Sequence, residues 1–304
     1  MKRKLLRQIG NEWTANIWLA LELLVVSVVM WYLVDIFFTY SSLYREPRGF
    51  DISHCYLINQ KKLSPKSPDY VEKESKENKD DFERLYDALE SRPDIEAVAS
   101  GVNAYFYNGS NSAIGMSHPT LEGLDFALIR RITPSFVRVF RLYGSRGETP
   151  EQLEKMIIEN RNAFFASSNL LGSEEKEPLL HDHIGDQFDL SGDTVVLGGV
   201  FKTARYSDYS NGPFNASILV PVETRHLGDY ELMVRVKEKM DVDFIDRLMK
   251  DADNYRFGNY YIASVQSFDR IRESYQREDE NELIKKGIAS AFLALNIFLG
   301  ILGT

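Results

Sequence analysis

The chain has 304 residues, 36 basic against 45 acidic side chains, a net charge of −9 and one cysteine. That length allows about two domains, and an acidic balance without a basic stripe excludes nucleic acid as a partner. Cys55 has no second cysteine to pair with, so an internal disulfide and a cysteine-built metal site are excluded, and the fold must rest on its own apolar core.

Residues 1–16 place Leu5, Leu6, Ile9 and Trp13 among basic and polar residues. This spacing predicts a short amphipathic helix on the inner membrane face. Residues 17–39 then form an apolar run long enough to cross a ~30 Å hydrocarbon core at 1.5 Å per residue. A cleaved signal is the poorer reading, because the run is too long and no small-residue cleavage site follows it. Trp18 at one end and Trp31, Tyr32 and Tyr40 at the other suit interfacial anchoring, and Lys2, Arg3, Lys4 and Arg7 before the run predict a cytoplasmic N-terminus. Within the run Glu22 is a costly carboxylate, read as interhelical glue, with an ion relay as the sharper reading; Asp35 lies near the outer interface and reaches water.

Beyond the span, residues 50–58 alternate as a strand, 60–79 read as a loop, 80–90 as a helix carrying Phe82, Leu85, Tyr86 and Leu89, and 95–102 as a strand. Residues 104–223 change character: short apolar stretches at 104–107, 126–132, 155–158, 187–190, 194–201 and 216–221 alternate with turn residues, which predicts an inserted β-rich subdomain. Short helices are expected at 134–140 and 161–169. His181 and His183, two apart, suggest at most the start of a metal site on a strand, and Asn108-Gly109-Ser110 a chance glycosylation triplet; no metal is expected.

Residues 231–237 alternate as a strand, 241–250 read as a helix with Asp241 as N-cap, and 260–265 as a further strand. A β-α-β unit before the insertion thus has a counterpart after it, and 40–103 with 224–267 are expected to pack as one α+β domain. Residues 268–286 are charged and helical, with Arg270, Glu273, Arg277 and Glu280 along them, and lead into a second apolar run at 287–304. An unbroken helix there predicts a stalk that couples motion at its two ends. Asn296, Gly300 and Gly303 share nearly one face, as close helix packing requires. This second run is short of a full span, so the chain is expected to continue past Thr304. Walker, nucleophile-elbow, zincin and dinucleotide motifs do not occur, so no catalytic residue and no cofactor is expected.

Several segments resemble the first half of a MacB/FtsX-type ABC transporter permease. Ile132, Thr133, Pro134, Ser135 and Phe136, with Phe140, are similar to that family's Thr/Ser-Pro-x-Phe/Tyr-x-x-x-Phe segment. Residues 157–165 resemble its Val-Ile-x-x-x-x-Ala-x-x-Phe segment; Ile184-Gly185 and 194–200 resemble its Ile-Gly … Val-x-Gly-Val strands; 296–304 resemble the opening of its second membrane helix. Gly147-Glu148 departs from the family's Gly-Arg pair. The resemblance implies an extracytoplasmic α+β porter-like part formed by both ends of the loop, an inserted sabre-like part, and flanking transmembrane helices. It also implies a cytoplasmic ABC ATPase as partner, a homodimer or a paralogous permease, a periplasmic adaptor or outer-membrane channel in some systems, and a place in the bacterial inner membrane. Two other readings stay open: a two-helix sensor with a periplasmic ligand-binding domain, and an FtsX-like regulator of cell-wall hydrolases.

Overall fold

The computed structural model describes residues 13–124, 126–209, 216–224 and 231–303. The amphipathic helix expected at 1–16 lies almost wholly outside them. The chain divides into two compact units, one of Pro47–Gln276 and one formed by the residues up to Glu46 together with those from Arg277 onward.

The second of these units is helical. Helix α1 spans Trp13–Arg45, and the C-terminal part of helix α7, Phe268–Gly303, lies in the same unit. Leu23–Arg45 is long and apolar enough to cross a membrane, and its apolar side chains are mostly exposed: Leu24 65%, Trp31 69% and Phe38 73%. Unpaired apolar surface on this scale is what a lipid-facing helix presents. The two helices meet where the Phe37 ring faces Gly287 and the Lys286 ammonium lies 5.8 Å from the Tyr40 ring centroid.

The unit Pro47–Gln276 is a mixed α/β domain with a ten-stranded sheet. The strands are β1 (Cys55–Lys62), β2 (Ile95–Val102), β3 (Ala113–Ser117), β4 (Phe126–Ile132), β5 (Ala163–Ser167), β6 (Gln187–Leu190), β7 (Asp193–Phe201), β8 (Ser217–Pro221), β9 (Glu231–Val236) and β10 (Tyr260–Ser267). Their order is β10-β1-β9-β2-β4-β3-β6-β7-β5-β8, with β4 also paired to β8. Neighbours among the first four strands are antiparallel, so the helix-joined pair β1 and β2 interleaves with the helix-joined pair β9 and β10 as a split β-α-β pair. Helices α2 (Ser75–Glu90) and α6 (Phe244–Lys250) cover one face, burying Phe82, Leu85, Leu89, Phe244 and Leu248 against Ile58, Val98, Val234 and Ile262.

The opposite face of those strands carries Leu57, Ala97, Ala99 and Met233. It packs on α3 (Phe136–Val139), α4 (Pro150–Glu159) and the first turn of α7, through Phe136, Phe140, Leu153, Ile157 and Phe268. A third cluster, with Phe164, Phe188, Leu197 and Ile218, fills the β3–β8 region under the short helix α5 (Glu177–Asp182). The ladder joining the two parts of the sheet is narrow: β2 meets β4 only at Gly101↔Ile132 and Val102↔Arg131. Gly101 is required there, since a Cβ would stand 2.3 Å from the Ala104 Cβ and 2.7 Å from the Arg131 carbonyl.

Five local expectations are corrected. Residues 155–158 lie in α4, started by a Thr149–Gln152 capping box with Pro150 in the first turn, rather than in a strand. Residues 161–169, expected as a helix, contain β5, buried at all five positions between β7 and β8; a strand buried on both faces shows no alternation to betray it. Residues 104–107 form a turn, with Tyr107 at φ 61° and Ala104, Phe106 and Tyr107 buried. Asp241 is not the N-cap of α6, a place taken by Asp243; its carboxylate instead accepts from Tyr56 Oη (2.6 Å) and contacts His54 Nδ1 (2.9 Å). Strand β1 also begins later than expected, at Cys55, and runs through polar Asn59–Lys62 because β10 pairs with those residues too.

Candidate functional site

Helix α7 starts with no break after β10, and its first turns carry two different faces. Phe268 and Gln276 are buried, with Ile271, Arg272 and Tyr275 partly so; this is the i, i+3/i+4 spacing of one helix face. The Phe268 ring meets Phe140 edge-on at 5.0 Å and Tyr105 at 5.8 Å, and Tyr275 meets Tyr206 edge-on at 5.6 Å. These rings supply the apolar part of the anchor.

The polar part centres on Asp208, only 2% exposed, in the connection between β7 and β8. Arg272 donates from Nε to Asp208 Oδ2 at 2.7 Å, and Tyr107 Oη donates to Oδ1 at 2.6 Å. Arg48 Nε stands 3.8 Å from Oδ1, while Arg205 Nη2 donates to the Asp208 backbone carbonyl at 2.8 Å. Burial pushes the Asp208 carboxyl up, but the Gln276 side chain, Tyr107 and Arg272 outweigh it, so its pKa is held below the usual carboxylate value. The Tyr107 phenol is pushed the other way, by burial and by the adjoining carboxylate. A buried charge is stable only when paired and hydrogen-bonded, so this carboxylate fixes the helix root against the domain.

A second buried cation braces the neighbouring surface. The alternation of β9 turns Arg235 to the same face as Met233, where it is fully buried. Its Nε donates to the Val139 carbonyl at the end of α3 (2.6 Å), Nη1 to the Ser53 carbonyl (2.9 Å), and Nη2 to the Asp51 carbonyl (2.7 Å). Beside α2 and α4 an open cleft of about 800 Å³ is lined by Glu83, Glu90, Glu154 and Glu223, with Arg161 at its edge. At its floor Tyr86 Oη and Ser135 Oγ both donate to the Val98 carbonyl, at 2.6 and 2.5 Å. Burial raises the Tyr86 phenol to about 12 and raises Glu154 against the pull of Arg138. Four carboxylates on one cleft favour cationic groups over anionic ones.

The residues singled out in the sequence are placed differently from one another. Arg270, Glu273, Arg277 and Glu280 all lie on α7 but are exposed, so they do not form the anchor. The anchoring residues Arg272 and Gln276 and their partners Asp208 and Tyr107 were not singled out. Only the apolar spacing of Phe268, Ile271 and Tyr275 signals that face. Asp35 is exposed on α1. Asn296 is exposed and donates to its own helix, to the Phe292 carbonyl four residues back at 2.7 Å. The side chain of Glu22 and the surroundings of Gly300 and Gly303 lie outside what the structure describes.

His181 and His183 do not converge. His181 Nε2 contacts Ser145 Oγ (2.7 Å) and Glu177 Oε1 (3.2 Å), and His183 Nδ1 contacts Asp186 Oδ2 (2.8 Å). They end a short helix, where a two-residue step points side chains apart rather than to one face. Asn108 is 5% exposed and donates to Glu231 Oε1 (2.9 Å), so its triplet is no open glycan acceptor in this fold.

No protein-family model matches this sequence, and no curated protein matches it. Among solved structures, the chain is similar to the periplasmic region of MacB from Actinobacillus actinomycetemcomitans: identity is 10%, the TM-score 0.40, and 77% of this chain and 98% of that one are covered. It is also similar to the extracellular domain of the noncanonical ABC-type transporter YknZ from Gram-positive bacteria, at 13% identity and a TM-score of 0.37, over 68% of this chain and all of that one.

Proposed function

We propose that this chain is the permease subunit of a MacB/FtsX-type mechanotransmitting ABC system. Its apolar helix α1 spans the cytoplasmic membrane, its N-terminus faces the cytoplasm and its domain faces outward. A cytoplasmic ATPase on a separate chain supplies the motion, and the subunit works as a dimer with itself or with a paralogue. Residues 40–103 with 224–267 serve as the porter-like part and residues 104–223 as the sabre-like part. The work is conformational rather than catalytic, and serves export or extraction on the outer side of the membrane.

The observation that carries this reading is the anchor on Asp208. A helix assigned without a break from Phe268 to Gly303 has its first turns bound to the domain by a buried ion pair and an aromatic cluster. A load applied along such a helix passes into the domain instead of being lost in a loop. The segments similar to the permease family, in order along nearly the whole chain, support the same reading, as does the exposed apolar surface of Leu23–Arg45.

The test is a proline at an exposed position of the stalk's first turns. Ser274→Pro removes a helix hydrogen bond and bends the rod within its anchored turns, between Arg272 and Gln276, while leaving the Arg272 and Asp208 side chains in place. In membranes holding the full chain and its ATPase, the variant is expected to keep ATP hydrolysis and lose the ATP-dependent change in labelling of the outer domain. An unchanged labelling response would overturn the stalk mechanism. Protection of residues 47–276 from protease added outside intact spheroplasts would overturn the membrane orientation.

A further inference from the structure

The end of the β3–β6 ladder brings His118 to His183 and Asp186, two neighbouring side chains about 65 residues further along the chain. Strand β3 pairs with β6 at Met116↔Leu190 and Ser117↔Asp189. His118 follows directly on β3, and His183 and Asp186 lie in the turn between α5 and β6. One ligand atom from each of His118, His183 and Asp186 lies within 4.8 Å of the others. His183 Nδ1 is 2.8 Å from Asp186 Oδ2, and His118 Nε2 is 3.8 Å from the same oxygen.

We propose that His118, His183 and Asp186 form a binding site for a divalent transition-metal cation, with zinc as the best match. Bonds of about 2.0–2.2 Å at tetrahedral angles set ligand atoms roughly 3.3–3.6 Å apart, a spacing that the observed separations bracket. Two imidazoles and one carboxylate suit zinc, and the all-oxygen preference of calcium and magnesium counts against them. Three protein ligands leave one position for water, and Asp186, whose side chain is 52% exposed, opens the cluster to solvent on that side.

The inner side is built. The His118 side chain is only 7% exposed and its ring packs 4.6 Å from the Phe188 ring and 4.7 Å from that of His183. Thr120 holds the other edge of the ring: its backbone N–H donates to Nδ1 (3.3 Å) and its Oγ1 lies 3.2 Å from the same nitrogen. That contact directs Nε2 to the cluster. Ligation through Nε2 requires the proton on Nδ1, so metal binding turns this nitrogen from acceptor of the Thr120 backbone N–H into donor to Thr120 Oγ1. The local His183–Asp186 contact explains two of the three groups. It does not explain a mostly buried His118 whose Nε2 stops at 3.8 Å, beyond an N–H···O hydrogen bond. A bound cation accounts for all three and ties the β3–β4 connection to the α5–β6 turn.

The test uses the untagged full chain in detergent, stripped with chelator and then equilibrated by dialysis against ZnCl2. The wild type is expected to hold one more zinc per chain than either His118→Gln or Asp186→Asn, and zinc is expected to raise its melting temperature but not theirs. Cobalt substituted for zinc should give a visible tetrahedral absorption band that both variants lose. His181→Gln, which alters the pair suggested by sequence but not the cluster, should keep both the zinc and the band. Equal zinc content in wild type and the two cluster variants, or loss of the band in His181→Gln, would overturn the proposal. Asp186→Asn keeps a side chain of the same shape, so a readout remains if His118→Gln does not fold.

Discussion

Two carboxylates in the same domain, Asp208 buried and Glu231 half-buried, meet opposite fates. Asp208, at the root of α7, receives Arg272 directly and the Tyr107 hydroxyl, and its pKa is lowered. Glu231, at the start of β9, accepts from the Ala104 backbone N (2.7 Å), the Tyr105 backbone N (3.4 Å) and the Asn108 amide (2.9 Å), and its pKa is raised because burial prevails. The guanidinium that pulls on it is that of Arg130, fully buried, which donates instead to the Ala104 and Tyr105 carbonyls at 2.7 and 3.1 Å. Arg130 Nε and Nη2 have no hydrogen-bond partner, and burial brings its pKa down to about 10. Neutral amide donors do not replace a cation in direct contact, and that difference sets the two carboxylates apart.

The largest break in this contrast is expected from Arg272→Leu. It leaves Asp208 buried without its closest cation, and removing one partner of a buried pair costs about 3–5 kcal/mol; the partial exposure of Arg272 puts the expected loss near the lower bound of about 3. Chemical denaturation of the full chain reads this as a lowered midpoint. Tyr107→Phe removes one hydrogen bond to the same charge and should cost about 2 kcal/mol, within the range for bonds to charged groups. Arg130→Met removes two unpartnered nitrogens along with the bonds to Ala104 and Tyr105, so the terms offset and the midpoint should shift by less than about 1 kcal/mol. A loss as large as that of Arg272→Leu would erase the distinction between the two sites.

The smallest effects lie in pH. The folded-state pKa of Asp208 is depressed, so its stabilisation is present above the ordinary carboxylate value and is lost as pH falls through the folded value. Glu231 has the opposite sign: its folded pKa is raised, so stability is gained as pH falls through that value toward the unfolded one. Melting temperatures from neutral pH into the acid range should therefore show the wild type losing its advantage over Asp208→Asn. Over the same descent it should gain relative to Glu231→Gln. Parallel curves for the two variants would contradict the contrast.

Much of the secondary structure was legible in the chain. Strands at Ile95–Val102, Phe126–Ile132 and Gln187–Leu190 fall where the apolar pattern places them, because alternation or a short apolar run between turn residues is a local signal. The paired β-α-β pattern around β1, β2, β9 and β10 was equally local. Strand β5 escapes the pattern because Ala163–Ser167 is buried on both faces, and α4 because the apolar stretch 155–158 is too short to show a helical period without the Thr149 cap that starts it. At the candidate site the long helix was legible, but its exposed charges drew attention away from the face that binds. Arg272 carries the same charge as Arg270 and Arg277, and only packing tells them apart.

The sequence by itself determined the apolar run in α1, the helical charged segment that begins α7, and the strand-forming stretches, since each depends on side-chain periodicity within a few turns. Only the tertiary structure decided which carboxylate meets which cation, and that His118 reaches His183 and Asp186. Those contacts join residues some 60 or more positions apart, such as the 64 between Asp208 and Arg272. No periodicity extends over such a distance; the ladder pairings and the packing of α7 on the domain set it instead.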